Sequence, residues 1–396
     1  MRVPFYPPGR PAAATTAPTL VQIATNDDVT PFAKALQVAR RIPQSKVLTH
    51  DCNHFEPNLD RTASHSPTTS STSPEKMCPT GRETTGTVSA TRSASTITRP
   101  LPTQRRQLGI HHMTRYHLDG RTVAITGSTG GLGAALAQAL RARGANLVLL
   151  DVDETQVAAQ AETLGGPIVA FSARVDVRDL TSLEAAMALA ATHFGRIDVV
   201  IANAGVAPVG TLETLDPAEF NRAVDVNLNG VWRTFRAGLP YVEKQHGVLL
   251  AISSMAAFVH SPLQSPYTAS KAGVWAMCDT IRLELRHRGV AVGSVHPTFF
   301  PTPMLAAAHD DAAARLLWGG NTGGLFKMIT LELVVEETVT GIERRAKTII
   351  VPRRNTLIAK TPGIFRPLIE RLGFKDSIIA QASALSRDSA LSKAKP

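Results

Sequence analysis

The chain predicts an α/β fold: a doubly wound parallel sheet of about seven strands with helices on both faces. Three observations carry that expectation. From Met113 onward, short apolar runs alternate with longer Ala- and Leu-rich stretches, the pattern of strands buried on both sides and linked by helices. A turn containing Gly127, Gly131 and Gly133 joins the first run to the first helical stretch. The second run closes on an acid, Asp151, about 20 residues after that turn.

The elements follow in order. Val123-Ala124-Ile125-Thr126 is short, apolar and β-branched, so 123–126 is the first strand. Residues 131–143 carry Ala and Leu at helical spacing, and 147–150 return to an unbroken apolar run. A third strand is expected at 168–172, ahead of Asp176, then a helix over 180–193 and a fourth strand at 198–202. Two long helices, near 217–234 and 266–288, flank a strand at 248–252. Runs at 291–295 and 348–351 complete the sheet.

The ends differ from this middle. Residues 1–112 are expected to be an unstructured low-complexity extension, because 62–103 is dominated by Ser, Thr and Pro and buries too little surface to offset chain entropy. Met113 then reads as the working start of a folded unit over 113–352. The segment 353–396 reads as a basic amphipathic tail that Pro362 and Pro367 break into short helical pieces. Of the net charge of +10, the segment before Met113 holds +6 and the segment from Gly341 onward +8, which leaves the middle near −4. The basicity belongs to the ends, so nucleic acid is not an expected partner. No apolar run approaches the ~20 residues of a membrane span. Cys52, Cys78 and Cys278 have no metal-binding spacing, so a reducing, cytoplasmic setting fits and Cys278 reads as a small core residue.

Tyr267 and Lys271 stand four residues apart, so an ammonium can lie beside a phenol on one helix face. A neighbouring cation favours the phenolate and turns a poor acid into a usable one near neutral pH. The glycine turn lets N–H groups at a helix start approach a pyrophosphate, and Asp151 is placed to accept the adenosine ribose hydroxyls. That carboxylate would repel a 2′-phosphate, which favours NAD over NADP; Arg174 and Arg178, close by in sequence, pull the other way. Turn and pair together describe hydride transfer with a proton relay.

The run from Thr126 to Gly133 has the spacing T-G-x-x-x-G-x-G, and further motifs arrive in a set order. These are Asp176-Val177, Ala202-Asn203-Ala204-Gly205, Asn227, Ser254 and Tyr267-x-x-x-Lys271, with Ser254 thirteen positions before Tyr267. Over about 118–304 the chain resembles the short-chain dehydrogenase/reductase family. The resemblance implies a Rossmann-like domain and an oxidoreductase that interconverts an alcohol and a ketone or aldehyde with NAD or NADP. It implies cofactor contacts from Gly127, Ser128, Thr129, Gly131, Leu132, Gly133, Asp151, Asp176, Val177, Asn203, Ala204, Gly205, Tyr267, Lys271, Pro297 and Thr302. In the same terms Tyr267 is the general acid and base, and Lys271 binds the nicotinamide ribose and depresses the Tyr267 pKa. Ser254 holds the substrate oxygen, and Asn227 holds a water linking Lys271 to solvent. A homo-dimer or homo-tetramer through the helices bearing Asn227 and Tyr267 follows too. Pro297-Thr298 departs from the family's usual Pro-Gly, a change at the pocket floor. Two other classes stay open: a non-catalytic dinucleotide-binding scaffold or redox sensor on the same fold, and a lyase or isomerase.

Specificity is expected from loops beyond the strand ends, at 258–264 and 299–326. Phe299, Phe300, Met304, Leu316, Leu317, Trp318 and Phe326 carry few charges between them. Such a wall points to an apolar alcohol or ketone such as a steroid, retinoid or long-chain alcohol; the same residues also suit a core or an oligomer contact. His260 reads as incidental. The tail is expected to fold over the substrate entrance, to pack on another subunit, or to make a peripheral contact with an anionic membrane.

Overall fold

The computed structural model describes residues 19–24, 45–50, 115–322 and 327–393. The chain divides into two units, Met1–Arg106 and Gln107–Pro396. In the first, strands β1 (Thr19–Ala24) and β2 (Ser45–His50) pair in parallel, from Thr19 opposite Ser45 to Ala24 opposite His50. These two six-residue runs depart from the expectation of an unstructured 1–112. Both concentrate aliphatic and β-branched side chains, which suit extended pairing. The rest of that expectation, including 62–103 and Met113, lies outside the described residues.

The second unit holds a seven-stranded parallel sheet. Across it run β5 (Ala170–Arg174), β4 (Asn146–Asp151), β3 (Thr122–Thr126), β6 (Val199–Ala202), β7 (Val248–Ile252), β8 (Ala291–Pro297) and β9 (Thr348–Val351). All seven expected strands are present. The third starts two residues later than its apolar pattern suggests, because Gly165 and Gly166 turn the chain at positive φ and leave Ile168 85% exposed.

Side chains alternate between two cores. Val123 and Ile125 of β3 face helices α1 (Gly131–Ala142), α2 (Glu154–Thr163) and α9 (Leu331–Glu343) through Leu136, Val157 and Val339. Ala124 between them faces α3 (Leu180–Phe194), α5 (Gly230–Lys244) and α6 (Ser265–Leu285) through Met187, Phe235 and Val274. Each fully buried aliphatic side chain contributes about 1.5–3 kcal/mol, so a one-residue slip of any strand would exchange the two faces at heavy cost. Cys278 lies in the second core, its thiol pushed up to about 12 by burial.

Strand order reverses between β3 and β6, so the connections leave for opposite faces and open a crevice at the strands' carboxyl ends. Helix α4 (Pro217–Val224) runs through a π turn, Asp225–Asn229, into α5. Beyond β8 come α7 (Pro303–Asp310) and α8 (Ala312–Trp318); beyond β9 come α10 (Thr356–Lys360), α11 (Pro362–Gly373) and α12 (Asp376–Lys393). Pro367 does not break α11 as its sequence suggests. It and Gly363, four residues earlier, are both exposed, where the lost backbone bond costs least. Helix α12 packs Ala382, Ile378 and Ile379 on Leu317 and Trp318 of α8.

Candidate active site

The glycine turn is a fused corner between β3 and β6. Gly127 has φ +64, and a Cβ there would lie 2.8 Å from the Ala204 Cα, so only glycine lets the two loops meet. Asn203 closes the corner, its Nδ2 donating to the carbonyls of Gly127 at 2.8 Å and Thr126 at 3.1 Å. A Cβ on Gly133 would come 2.1 Å from the Gly127 oxygen, and one on Gly131 would come 2.9 Å from Pro303 Cδ. The start of α1 is thereby left as bare backbone, with no acid in its first turn. Free N–H groups at a helix start attract phosphate, so the cradle fits a dinucleotide.

At the end of β4, Asp151 Oδ2 accepts from the Thr129 N–H at 3.0 Å and the Thr129 hydroxyl at 2.7 Å. Asp176 is held by Arg178, whose Nη2 donates to Oδ2 at 2.6 Å. That bond keeps the Asp176 carboxyl below its ordinary pKa. Arg174 stands opposite Asp151 in the β4–β5 register.

Across the crevice, Ser254 follows β7 and Tyr267 and Lys271 lie on α6. Burial raises the Tyr267 phenol above its ordinary pKa, against the pull of a hydrogen bond from Ser254. Lys271 is 4% exposed and burial draws it down to about 8. Its Nζ donates to the Ile252 carbonyl at 2.8 Å and lies 5.6 Å from the Tyr267 ring centroid. The expectation is a phenol lowered by Lys271; here burial is the largest cause of its shift and raises it, with Ser254 as the opposing one. Ser254 Oγ accepts from the Ala256 N–H at 3.1 Å, and its hydroxyl is hydrogen-bonded to the Tyr267 phenol. His296 is buried behind it, Nδ1 at 3.2 Å from the Ser254 carbonyl oxygen and Nε2 at 2.8 Å from Ser294 Oγ.

One cavity of about 700 Å³ runs from the glycine turn past Asp151 to Ser254, Tyr267 and Lys271. Its lining includes the apolar side chains Val259, Phe299, Phe300 and Met304. Residues 121–313 match the family model for the short chain dehydrogenase. Over 190 residues the chain is 33% identical to the oxidoreductase UcpA of Salmonella typhimurium (strain LT2), covering 47% of this chain and 72% of that one. The chain belongs to the short-chain dehydrogenase family. This short-chain dehydrogenase is also 34% identical, over 47% of its length and 74% of the relative's, to the trans-4-hydroxycyclohexanecarboxylate dehydrogenase of Sinomonas cyclohexanicum. Among solved structures, a family member from Burkholderia phymatum in complex with NAD superposes with a TM-score of 0.57 at 25% identity. It covers 66% of this chain and 97% of that one.

Most residues expected at the site line the cavity of this short-chain dehydrogenase; two do not. Ser128 is fully buried and donates to Gln160 Oε1 at 2.9 Å, on the far side of the turn. Asn227, in the π turn, spends its amide on the Val206 backbone, accepting from N–H and donating to C=O at 2.8 Å each, and on Ser270 Oγ at 3.1 Å. The geometry thus makes it a brace for the loop after β6. Of the expected aromatic wall, Leu317 and Trp318 are buried against α12, Leu316 is exposed, and Phe326 lies outside the described residues. Their place is taken by Ile358, Ile369 and Phe374 of the tail, which line the cavity. The apolar spacing of 357–372 signalled a buried face but not which surface it covers. His260, read as incidental, lines the cavity and meets Glu370 of α11, its backbone N–H donating at 3.3 Å.

Proposed function

We propose that this chain is an NAD(H)-dependent alcohol dehydrogenase and ketone reductase acting on an apolar, lipid-like substrate, with Tyr267 as its general acid and base. The observation that carries the reading is that Ser254, Tyr267 and Lys271 line one cavity together with the dinucleotide cradle and several apolar side chains. When bound there, the nicotinamide supplies or accepts the hydride. Tyr267 gives its phenolic proton to the substrate oxygen in reduction and takes it back in oxidation. Ser254 Oγ donates to the same oxygen and stabilises the charge that develops on it. Lys271 holds the ribose and offsets the phenolate charge as it forms, while Asn227 keeps Gly205 and Val206 in place beside it.

Several features support the finer choices. Asp151 lines the cavity at the end of β4, where its carboxylate would repel a 2′-phosphate, and Arg178 is tied to Asp176; both support NAD over NADP. The relative named for trans-4-hydroxycyclohexanecarboxylate supports a hydroxylated substrate. Phe220, Trp232 and Leu283, exposed on α4, α5 and α6, suit a dimer or tetramer built through those helices. A catalytic unit over 113–352 is proposed, with 1–112 as an extension that carries none of the site residues. A panel of secondary alcohols and ketones, from short and polar to sterol-sized, assayed by nicotinamide absorbance with NAD and NADP, tests the reading. Turnover rising with apolar size and with NAD is expected; turnover of small polar substrates alone, or none with either cofactor, rejects it.

A further inference from the structure

Helix α11 is apolar on both sides. Inward, Ile369 is buried and lines the cavity, with Ile358 before it and Phe374 after it. Outward, Ile364, Leu368 and Leu372 recur every four residues and form one ridge, 72%, 55% and 65% exposed. Leu357 of α10, 59% exposed, adds a fourth large aliphatic. Residues 353–375 carry six basic side chains and one acid. That acid, Glu370, is turned toward His260 and Arg366, and among the basic residues Arg353 is paired with Glu337. Lys360, Arg371 and Lys375 are exposed in the same segment. No helix among the described residues is long and apolar enough to cross a membrane.

We infer that the outer face of α11 docks on an anionic lipid surface, with α11 lying in the interfacial plane and forming the wall between bilayer and cavity. An exposed aliphatic ridge among basic side chains is the pattern of a helix that seats its apolar side among acyl chains and its cations among phosphates. A second copy of the chain fits less well, because a two-fold contact through this face would set like charges against one another. The inference deepens the apolar-substrate reading: a water-insoluble alcohol or ketone would reach the cavity from the membrane. Docking itself is measured without turnover, so the two ideas fail separately.

The test is sedimentation of the full chain with vesicles of phosphatidylcholine alone or mixed with phosphatidylglycerol. The chain is expected to pellet with the anionic vesicles, less so as salt rises. Binding should fall by about 10-fold or more in Lys360→Glu/Arg371→Glu and in Ile364→Ser/Leu368→Ser/Leu372→Ser. Unchanged NADH affinity in both variants shows that they remain folded. A wild-type chain that stays in solution with anionic vesicles overturns the inference. So does a ridge variant that binds as well as wild type. A ridge variant whose only change is a smaller oligomer also overturns it and assigns the face to a second copy.

Discussion

Gly133 sits in the first turn of α1, against the corner that joins β3 to β6, and an added methyl group there probes the corner directly. The Cβ of Gly133→Ala would lie 2.1 Å from the Gly127 carbonyl oxygen and 2.8 Å from Asn203 Nδ2. Contacts of that kind need more than about 3 Å, so helix and turn must part by about 1 Å, and overpacking on this scale costs about 1–3 kcal/mol. The oxygen affected is the one Asn203 donates to at 2.8 Å, so the displacement also threatens that bond. Moving the helix start shifts the N–H groups offered to a pyrophosphate. A loss of ~1.4 kcal/mol there is tenfold in affinity. Two measurements check this: the thermal unfolding midpoint, expected to drop by a few degrees, and NADH binding followed by protein fluorescence, expected to weaken about 10-fold. Gly363→Ala is the control, because nothing lies within 4 Å of a Cβ built there and alanine is the better helix former. NADH affinity and stability both unchanged in Gly133→Ala would refute the reasoning.

Three further outcomes are expected. Asp198 is fully buried and accepts from Arg121 and Arg196 at 2.7 Å and from the Thr122 N–H at 3.0 Å, so Asp198→Ala should cost about 2–4 kcal/mol in a urea titration without altering cofactor preference. Burial holds His296 at about 4, against the pull of its bond to Ser254. Between about pH 6.5 and 4 the unfolded chain takes up a proton that the folded chain refuses. Stability should therefore fall by about 1.4 kcal/mol per unit across that window, and His296→Asn should flatten the fall in an unfolding-against-pH series. Asp151→Ser should raise the NADP-to-NAD ratio of kcat/KM by about 10-fold, since it removes the charge facing a 2′-phosphate; an unchanged ratio assigns cofactor choice elsewhere.

Much of this was legible in the chain because it rests on local pattern. The runs at 123–126 and 248–252 are apolar enough to be strands buried on both faces, and the Gly127, Asn203, Ser254, Tyr267 and Lys271 motifs each sit at an element's end, where chain order implies spatial convergence. What stayed hidden depended on which way a side chain turns or on distant packing. Ser128 and Thr129 are neighbours in one turn, yet only Thr129 lines the cavity, and φ +64 at Gly127 precedes that divergence. The amide of Asn227 meets Val206 and Ser270 through the π turn, a register shift that no residue pattern announces. Helix α12 has weak amphipathicity and is fixed by distant partners, Trp318 in its core and Thr214 through Ser386 at 2.8 Å. The Tyr267 pKa went against expectation for a similar reason: spacing reveals the neighbouring cation but not the depth of burial.

The most direct test is Tyr267→Phe, assayed for turnover and for NADH affinity in the same preparation. If the phenol carries the proton, turnover falls by about 10²–10⁴-fold while the cofactor binds as before. A variant that keeps a tenth or more of the parent rate, on a substrate the parent turns over, contradicts it.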